Sequence, residues 1–256
     1  MMQFTQLQRK RIAGTKAQTF SPIPWVLTRL CLMTCVIGPC LSPDLAPAKE
    51  SVTTETDGPA TDSRPNIVVV IADDWSWPHA SVLGAKAVAT PHFDRIANEG
   101  TLFKNAFVSA PSCTPSRLSI LTGQYHWRLR EGDSLGGSLR ESFPVYTEML
   151  QESGYLIGRY GKGVWPSKHE FRNRDSFGDQ YKSFDQFLNA RRPGQAFCFW
   201  YGGQDPHRPY KMGMGLKSGI DPDQIEVPQC LPDNSVVRND LADYLAEVQR
   251  FDSELG

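Results

Sequence analysis

Residues 66–72 read Asn-Ile-Val-Val-Val-Ile-Ala, and two carboxylates, Asp73 and Asp74, follow directly. A short, continuous run of β-branched residues is typical of a parallel strand that is buried on both faces. Two further segments are predicted as strands, residues 155–160 and the fully apolar residues 197–201, and segments with helix signals separate them from the first strand. Strands that alternate with helices predict an α/β fold with a mostly parallel central sheet.

Local signals place the remaining elements of this fold. Thr90 is predicted to cap a helix that ends near Gly100, because Thr suits an N-cap and Gly a helix end. Residues 101–108 are predicted to form a second strand, and residues 146–153 a helix. Asn239 is predicted to cap a last helix with one apolar face.

A helix is also predicted to begin at Cys113, in the segment Cys-Thr-Pro-Ser-Arg. Pro115 suits a first helical turn, where its missing N–H would be unpaired in any case. Gly123 suits the end of the helix. The start of a helix favours an anion, so Cys113 is predicted to lie where anionic chemistry is favoured.

The paired carboxylates Asp73 and Asp74 indicate a metal site. Two adjacent carboxylates repel each other unless a cation lies between them. Their oxygens suit a hard divalent ion, Ca²⁺ or Mg²⁺. The alternative is a pair of solvated turn residues. Their place at the carboxyl end of a strand, where sites of α/β sheets lie, favours metal binding.

Composition and charge separate a leader from the folded part. Residues 1–48 contain five basic residues and one acidic residue. Residues 49–256 contain 22 basic and 27 acidic residues, a net charge of −5. This acidic balance argues against nucleic acid as a partner. Basic residues, an apolar run and a small-x-small site predict that residues 1–48 are an export signal. The protein is therefore expected to be periplasmic or secreted. Residues 49–64 are interpreted as a linker and 65–256 as the folded domain.

The Cys113–Arg117 segment with Thr122-Gly123 resembles the signature of the type I sulfatases. Other segments resemble the same family in its own order. These are residues 66–74, 89–94, 100–107, 161–162, 205–209 and 227–252. The resemblance implies an alkaline-phosphatase/sulfatase-like sandwich, of which this chain carries the N-terminal part, closest to the heparan N-sulfatase (sulfamidase) branch.

The resemblance also implies a modified residue and a metal. Cys113 would be oxidised to formylglycine, the catalytic aldehyde, by a formylglycine-generating or equivalent maturation enzyme. Ca²⁺, or Mg²⁺, would be bound by Asp73, Asp74 and residue 113.

The same resemblance assigns residues to a sulfated glycan substrate. Arg117 would orient the formylglycine, Lys162 would contact the sulfate group, and His207 would act on the leaving-group side. His126 is a further candidate for substrate binding. Each of these could instead be structural, since Lys162 lies in a Gly-rich turn and His207 in a Pro-rich loop.

Several aromatic residues carry no assigned role. Trp75 and Trp77 are interpreted as packing residues rather than a platform for sugar, although they closely follow the carboxylate pair. His79 is interpreted as a surface residue.

Two alternative functions stay open at this point. One is a phosphate or phosphonate monoester hydrolase on the same scaffold, because tetrahedral oxyanions are alike. The other is an inactive product, since residue 256 falls within the helix that, in the family, precedes a strand with further metal ligands. The resemblance therefore places the remaining ligands and the C-terminal subdomain outside this chain.

Overall fold

The computed structural model describes residues 63–164, 172 and 174–256. The predicted leader, and the linker up to residue 62, lie outside the described residues. Four strands form one parallel sheet: β1 (Ile67–Ile71), β2 (Leu156–Gly161), β3 (Asp179–Gln180) and β4 (Phe197–Gly202).

The described residues also form six α-helices. They are α1 (Pro91–Glu99), α2 (Cys113–Thr122), α3 (Tyr146–Glu152), α4 (Phe184–Asn189), α5 (Met214–Lys217) and α6 (Ser235–Leu255). The predicted α/β fold with a parallel sheet is confirmed. Among the described residues, no helix combines the length and apolar character needed to cross a lipid bilayer.

Strand β4 forms the centre of the sheet, whose order is β1-β4-β2-β3. Successive side chains of a strand point to opposite faces. Phe199 packs in a cluster with Phe187 of α4, whereas Trp200 packs in another with Leu118 and Leu121 of α2. Helices therefore cover both faces of β4, which explains its continuous apolar sequence.

Strand β1 differs from the prediction that it is buried on both faces. Among the described strands it lies at the end of the sheet order, beside β4 alone. Its Val68 side chain is 52% exposed. A run of β-branched residues thus predicted the strand correctly and its burial wrongly, because burial depends on what packs against the strand.

The predicted strand over residues 101–108 is wrong, since this segment is irregular. Phe103 and Phe107 are 76% and 92% exposed. A strand preference is realised only where a neighbouring strand and a packed face are present. No strand pairs with this segment among the described residues.

The last helix, α6, begins earlier than predicted. Asn234, and not Asn239, is its N-cap, and the Asn234 side chain accepts a hydrogen bond from the Val237 N–H. Residues 235–239 continue the helical pattern, so the helix begins at the first asparagine that can cap it. The predicted apolar face is confirmed, because Leu245, Val248 and Phe251 are buried.

Gly158 in β2 provides a stability test of the α4 face. A methyl group there would lie 2.6 Å from the Tyr181 ring and 2.7 Å from the Phe187 ring. Phe187 is fully buried, so its ring has little room to move. We expect Gly158→Ala to lower the free energy of unfolding by about 1–3 kcal/mol, measured by urea denaturation.

A double-mutant cycle isolates the cause of that loss. Phe187→Leu provides space for the added methyl group, so the double variant should lose less stability than the two single losses added together. Strictly additive losses would contradict steric crowding as the cause.

Candidate active site

The candidate site lies where the carboxyl ends of β1, β2 and β4 meet. The Lys162 N–H donates a hydrogen bond to the Gly202 carbonyl over 2.6 Å, which joins the ends of β2 and β4. The Asp73 N–H donates to the Asp205 carbonyl over 3.0 Å, which joins the ends of β1 and β4. Side chains that follow three strands are thereby brought to one edge of the sheet, as expected for a parallel α/β sheet.

Two glycines permit this close approach. A Cβ atom on Gly202 would lie 1.8 Å from the Lys162 carbonyl oxygen. Gly161 has a φ of +74°, a conformation that favours glycine, and a Cβ there would lie 2.2 Å from the Gly202 carbonyl oxygen. The Gly161-Lys162 pair noted in the sequence therefore places the Lys162 side chain at the sheet edge.

Asp73, Arg117 and Lys162 form a buried group of charges, here called the Asp73 cluster. Lys162 Nζ forms an ion pair with Asp73 Oδ2, and Arg117 Nη2 lies 3.4 Å from Asp73 Oδ1. Arg117 Nη1 also donates to the Lys162 carbonyl over 2.8 Å. The side chains of Asp73, Arg117 and Lys162 are 5%, 3% and 7% exposed, respectively. The cluster therefore joins α2 to the ends of β1 and β2.

The Asp73 cluster carries two cations and one carboxylate. Burial lowers the pKa of the Arg117 guanidinium, while the negative charge of Asp73 raises it. A guanidinium keeps its proton in proteins, so the cluster has a net charge of +1. A buried net positive charge at a sheet edge favours a neighbouring anion.

Cys113 is the first residue of α2, as predicted. Its side chain is partly exposed. Gly123 ends the helix in the left-handed conformation, with its N–H bonded to the Ser119 carbonyl, which confirms that prediction too. Cys113 and Arg117 are four residues apart and therefore share one face of the helix. The helix thus carries Cys113 on the same face as a cation of the Asp73 cluster.

Asp74 and His207 form a second, more exposed pair. His207 Nε2 lies 3.8 Å from Asp74 Oδ2, and the side chains are 45% and 63% exposed. His207 Nδ1 donates to the Arg208 carbonyl over 2.5 Å, so Nε2 is the ring nitrogen that faces Asp74. The structure therefore brings His207 to the same sheet edge as the predicted metal carboxylates.

His126 has other partners. Its Nδ1 lies 2.9 Å from Ser109 Oγ, and its ring contacts Trp127 edge to face. Within the described residues, no hydrogen bond joins His126 to the Asp73 cluster. Its role in substrate binding stays a prediction.

Sequence reasoning missed Arg250 of α6. Its guanidinium donates to both carboxylate oxygens of Asp205, with Nη2 to Oδ1 over 2.6 Å, and it lies 3.4 Å from Glu247. This ion pair holds the loop that carries His207. Glu247 and Arg250 at positions i and i+3 were the available signal, but such a spacing also occurs on ordinary solvated helices.

The described residues do not by themselves form a site for a hard cation. Both oxygens of Asp73 face cations, Lys162 and Arg117. In the part of the chain that the structure describes, no three His, Cys, Asp or Glu side chains are grouped to hold a metal. Ca²⁺ takes six to eight oxygen ligands, so these residues alone do not fit it. The assignment of Asp73, Asp74 and Cys113 as ligands stays a prediction.

The parallel sheet, the charged cluster at its carboxyl edge and the helix that begins with Cys113 define an α/β domain. The model of the sulfatase family matches residues 65–246. The chain therefore belongs to the sulfatase family.

Curated relatives agree with this assignment. The chain is 31% identical over 193 residues to an N-acetylgalactosamine-6-O-sulfatase of Bacteroides thetaiotaomicron, covering 68% of this chain and 37% of that relative. It is 32% identical over 182 residues to arylsulfatase G of Rattus norvegicus, covering 68% of this chain and 31% of that relative. The chain spans about a third of the length of these relatives. The heparan N-sulfatase branch stays a prediction.

Solved structures share the fold. BT4656, solved in complex with its substrate D-glucosamine-2-N,6-O-disulfate, aligns with a TM-score of 0.51 at 22% identity, covering 67% of this chain and 39% of that one. A phosphonate monoester hydrolase of Agrobacterium radiobacter aligns with a TM-score of 0.50 at 15% identity, covering 75% and 58%. These similarities show the alkaline-phosphatase/sulfatase-like fold, as expected.

Proposed function

We propose that this chain carries the nucleophile and the sulfate-binding part of a hydrolase that cleaves sulfuric esters, or sulfamates, of sulfated glycans. The observation that carries the proposal is the buried net positive charge of the Asp73 cluster, linked through α2 to Cys113. The family and the 31% identical relative, named for a 6-O-sulfatase, support it.

In this proposal, residue 113 reacts as formylglycine, made by a maturation enzyme. The hydrated aldehyde has two hydroxyl groups on one carbon. One loses its proton and attacks sulfur, the bond from sulfur to the sugar oxygen breaks, and the released sugar takes up a proton. The second hydroxyl then loses its proton, the aldehyde re-forms, and sulfate leaves. Addition of water restores the hydrate.

The other side chains have separate tasks. Lys162 and Arg117 offset the charge on the sulfuryl oxygens, and the Arg117 guanidinium does so as a buried charge. His207 gives a proton to the leaving oxygen or nitrogen through Nε2, since Nδ1 is held by the Arg208 carbonyl. Because Arg117 contacts both Asp73 and the Lys162 carbonyl, it holds the Asp73 cluster together as well as orienting residue 113.

A metal ion and a cellular location belong to the same proposal. Ca²⁺, or Mg²⁺, would take Asp73, Asp74 and residue 113 as some of its ligands, and would supply positive charge next to the sulfuryl group. Export to the periplasm or the medium would suit a sulfated glycan as substrate.

The sulfatase family of this chain and the relative named for a 6-O-sulfatase favour sulfate over phosphate esters. Charge does not separate the two esters, because the proposed metal ion adds two positive charges beside the Asp73 cluster and Asp74 adds one negative charge. The phosphate or phosphonate hydrolase is therefore the second candidate, and the fold shared with such an enzyme keeps it open.

Product analysis tests the proposal. The protein is made together with a formylglycine-generating enzyme, and intact mass establishes that residue 113 is the aldehyde. It is then incubated, with Ca²⁺ present, with N-acetylgalactosamine 6-sulfate, an aryl sulfate and the matching aryl phosphate. We expect inorganic sulfate to be released faster than phosphate. Protein with the aldehyde that releases no sulfate would contradict the proposal, and faster release of phosphate would favour the second candidate.

A further inference from the structure

A cavity of about 890 Å³ lies beside the candidate site, with Asp74 and Arg208 in its wall. This volume is in the range of cavities that hold small-molecule ligands. The segment after β1 supplies Trp77 and His79, and α6 supplies Tyr244. Asp74 lines this cavity and also directly follows Asp73 and lies 3.8 Å from His207, so the cavity adjoins the candidate site through Asp74.

Trp77 provides an apolar wall for this cavity. Its side chain is 61% exposed, whereas Trp75 packs on Phe93 and Phe251 at 5.1 and 5.8 Å between ring centroids. The sequence interpretation of both as packing residues therefore holds for Trp75 and is wrong for Trp77. Exposed indole faces suit ligands that have both apolar C–H surfaces and polar groups, as sugar rings do.

His79 provides a ring nitrogen for hydrogen bonding. The Tyr244 hydroxyl accepts a hydrogen bond from the Ser76 N–H over 2.9 Å and lies 3.1 Å from His79 Nδ1, which holds the ring in place. In the tautomer in which Tyr244 donates to Nδ1, Nε2 carries the ring proton. Burial lowers the pKa of His79, which favours the neutral ring. A neutral imidazole with Nε2–H suits a hydroxyl or carbonyl oxygen of a ligand.

The charged side chains of the cavity are mostly acidic. Its wall contains two basic residues and four acidic ones, a net charge of −2. Arg208 is bound by Asp240, with Nη1 2.9 Å from Oδ1. Even without Asp74, which belongs to the candidate site, the acidic residues outnumber the basic ones. The net charge of the cavity wall is thus opposite in sign to that of the Asp73 cluster. A negative wall disfavours further anionic groups on a ligand.

We infer that this cavity binds the sugar ring that bears the reacting sulfate, and that it selects a ring without a second acidic group. The inference rests on the proposed function and adds a substrate class to it. Trp77 contacts the C–H face of the ring, His79 donates to one of its oxygens, and Asp223 and Glu226 repel a second sulfate. The substrates favoured are monosulfated, otherwise neutral sugars rather than multiply sulfated or uronate-rich ones.

Calorimetric titration of the Cys113→Ala protein tests this selectivity without turnover. N-acetylgalactosamine 6-sulfate and its 4,6-disulfate differ only in the second acidic group. We expect the monosulfated sugar to bind about fivefold more tightly, a ratio that falls at high salt. Equal affinities, tighter binding of the disulfate or no binding of either sugar would overturn the inference.

Matched variants assign the selectivity to the cavity. Glu226→Lys should bring the ratio of the two affinities close to one. Glu152→Lys, at the end of α3 and outside the cavity wall, makes the same change in net charge and should leave the ratio unchanged. An equal effect of both variants would assign the preference to overall charge and contradict the proposed site.

Trp77→Ala should weaken binding of both sugars about tenfold, a loss of roughly 1.4 kcal/mol. Phe103→Ala removes another exposed aromatic ring that does not line the cavity, and should have no effect. Unchanged binding in Trp77→Ala would contradict the inferred contact.

Selective binding without sulfate release by the wild-type protein would contradict only the proposed function, while release without selectivity would overturn only this inference.

Discussion

Replacing Cys113 with alanine is expected to abolish the release of sulfate, with a fall of at least about 10⁴-fold in kcat. Alanine cannot be converted to an aldehyde, so the variant has no hydroxyl that could attack sulfur. The helix start should persist, because alanine is a good helix former and Pro115 remains in the first turn. Ion chromatography of the released sulfate measures the effect, and circular dichroism shows that the fold is retained.

Cys230→Ala is the matched control for this experiment. Cys230 is an exposed free thiol, so its loss should change neither activity nor stability. Sulfate release that survives in Cys113→Ala would exclude residue 113 as the nucleophile. Intact mass of the wild-type protein separates this result from a failure of the maturation step, since an unmodified thiol differs in mass from the aldehyde.

Asp73→Asn should lower the free energy of unfolding by about 3–5 kcal/mol. Asn has the shape of Asp but no charge, so it leaves Lys162 and Arg117 buried next to each other without a counter-charge. Urea denaturation in the presence of a chelator measures this loss without a contribution from bound metal.

The neighbouring carboxylate supplies the control. Asp74→Asn makes the same chemical change one residue later, where the side chain is 63% exposed and 3.8 Å from His207. It should change the free energy of unfolding by less than about 0.5 kcal/mol. Equal losses in the two variants would contradict the view that the buried cluster stabilises the sheet edge. A third variant, Lys162→Met in the Asp73→Asn background, should recover part of the loss because it removes one unpaired cation.

Much of the fold could be predicted from the sequence because its signals are local. The apolar runs that became β2 and β4, and Pro115 with Gly123 at the ends of α2, depend on residues within a few positions of one another. The predictions that failed depended on distant neighbours. Residues 101–108 have the composition of a strand but no strand to pair with among the described residues, and their apolar side chains are exposed.

The candidate site was predicted in its residues but not in its arrangement. Asp73, Arg117, Lys162 and His207 were all identified from motifs. The motifs did not indicate that Arg117 is buried and donates a hydrogen bond to the Lys162 carbonyl. That relation arises because α2 packs on β4, which brings together residues that are 45 positions apart.

The sequence by itself determined the family, the α/β class, and the positions of Cys113 at a helix start and of two carboxylates at a strand end. Strand and helix signals, and the motif order, reside in short segments and need no tertiary information. Only the tertiary structure decided that Asp73 pairs with Lys162 across 89 positions, that Trp75 is packed while Trp77 is exposed, and that an acidic cavity adjoins a net positive cluster. Burial and charge balance are sums over all neighbours in space, and those neighbours are set by how the helices pack on the sheet.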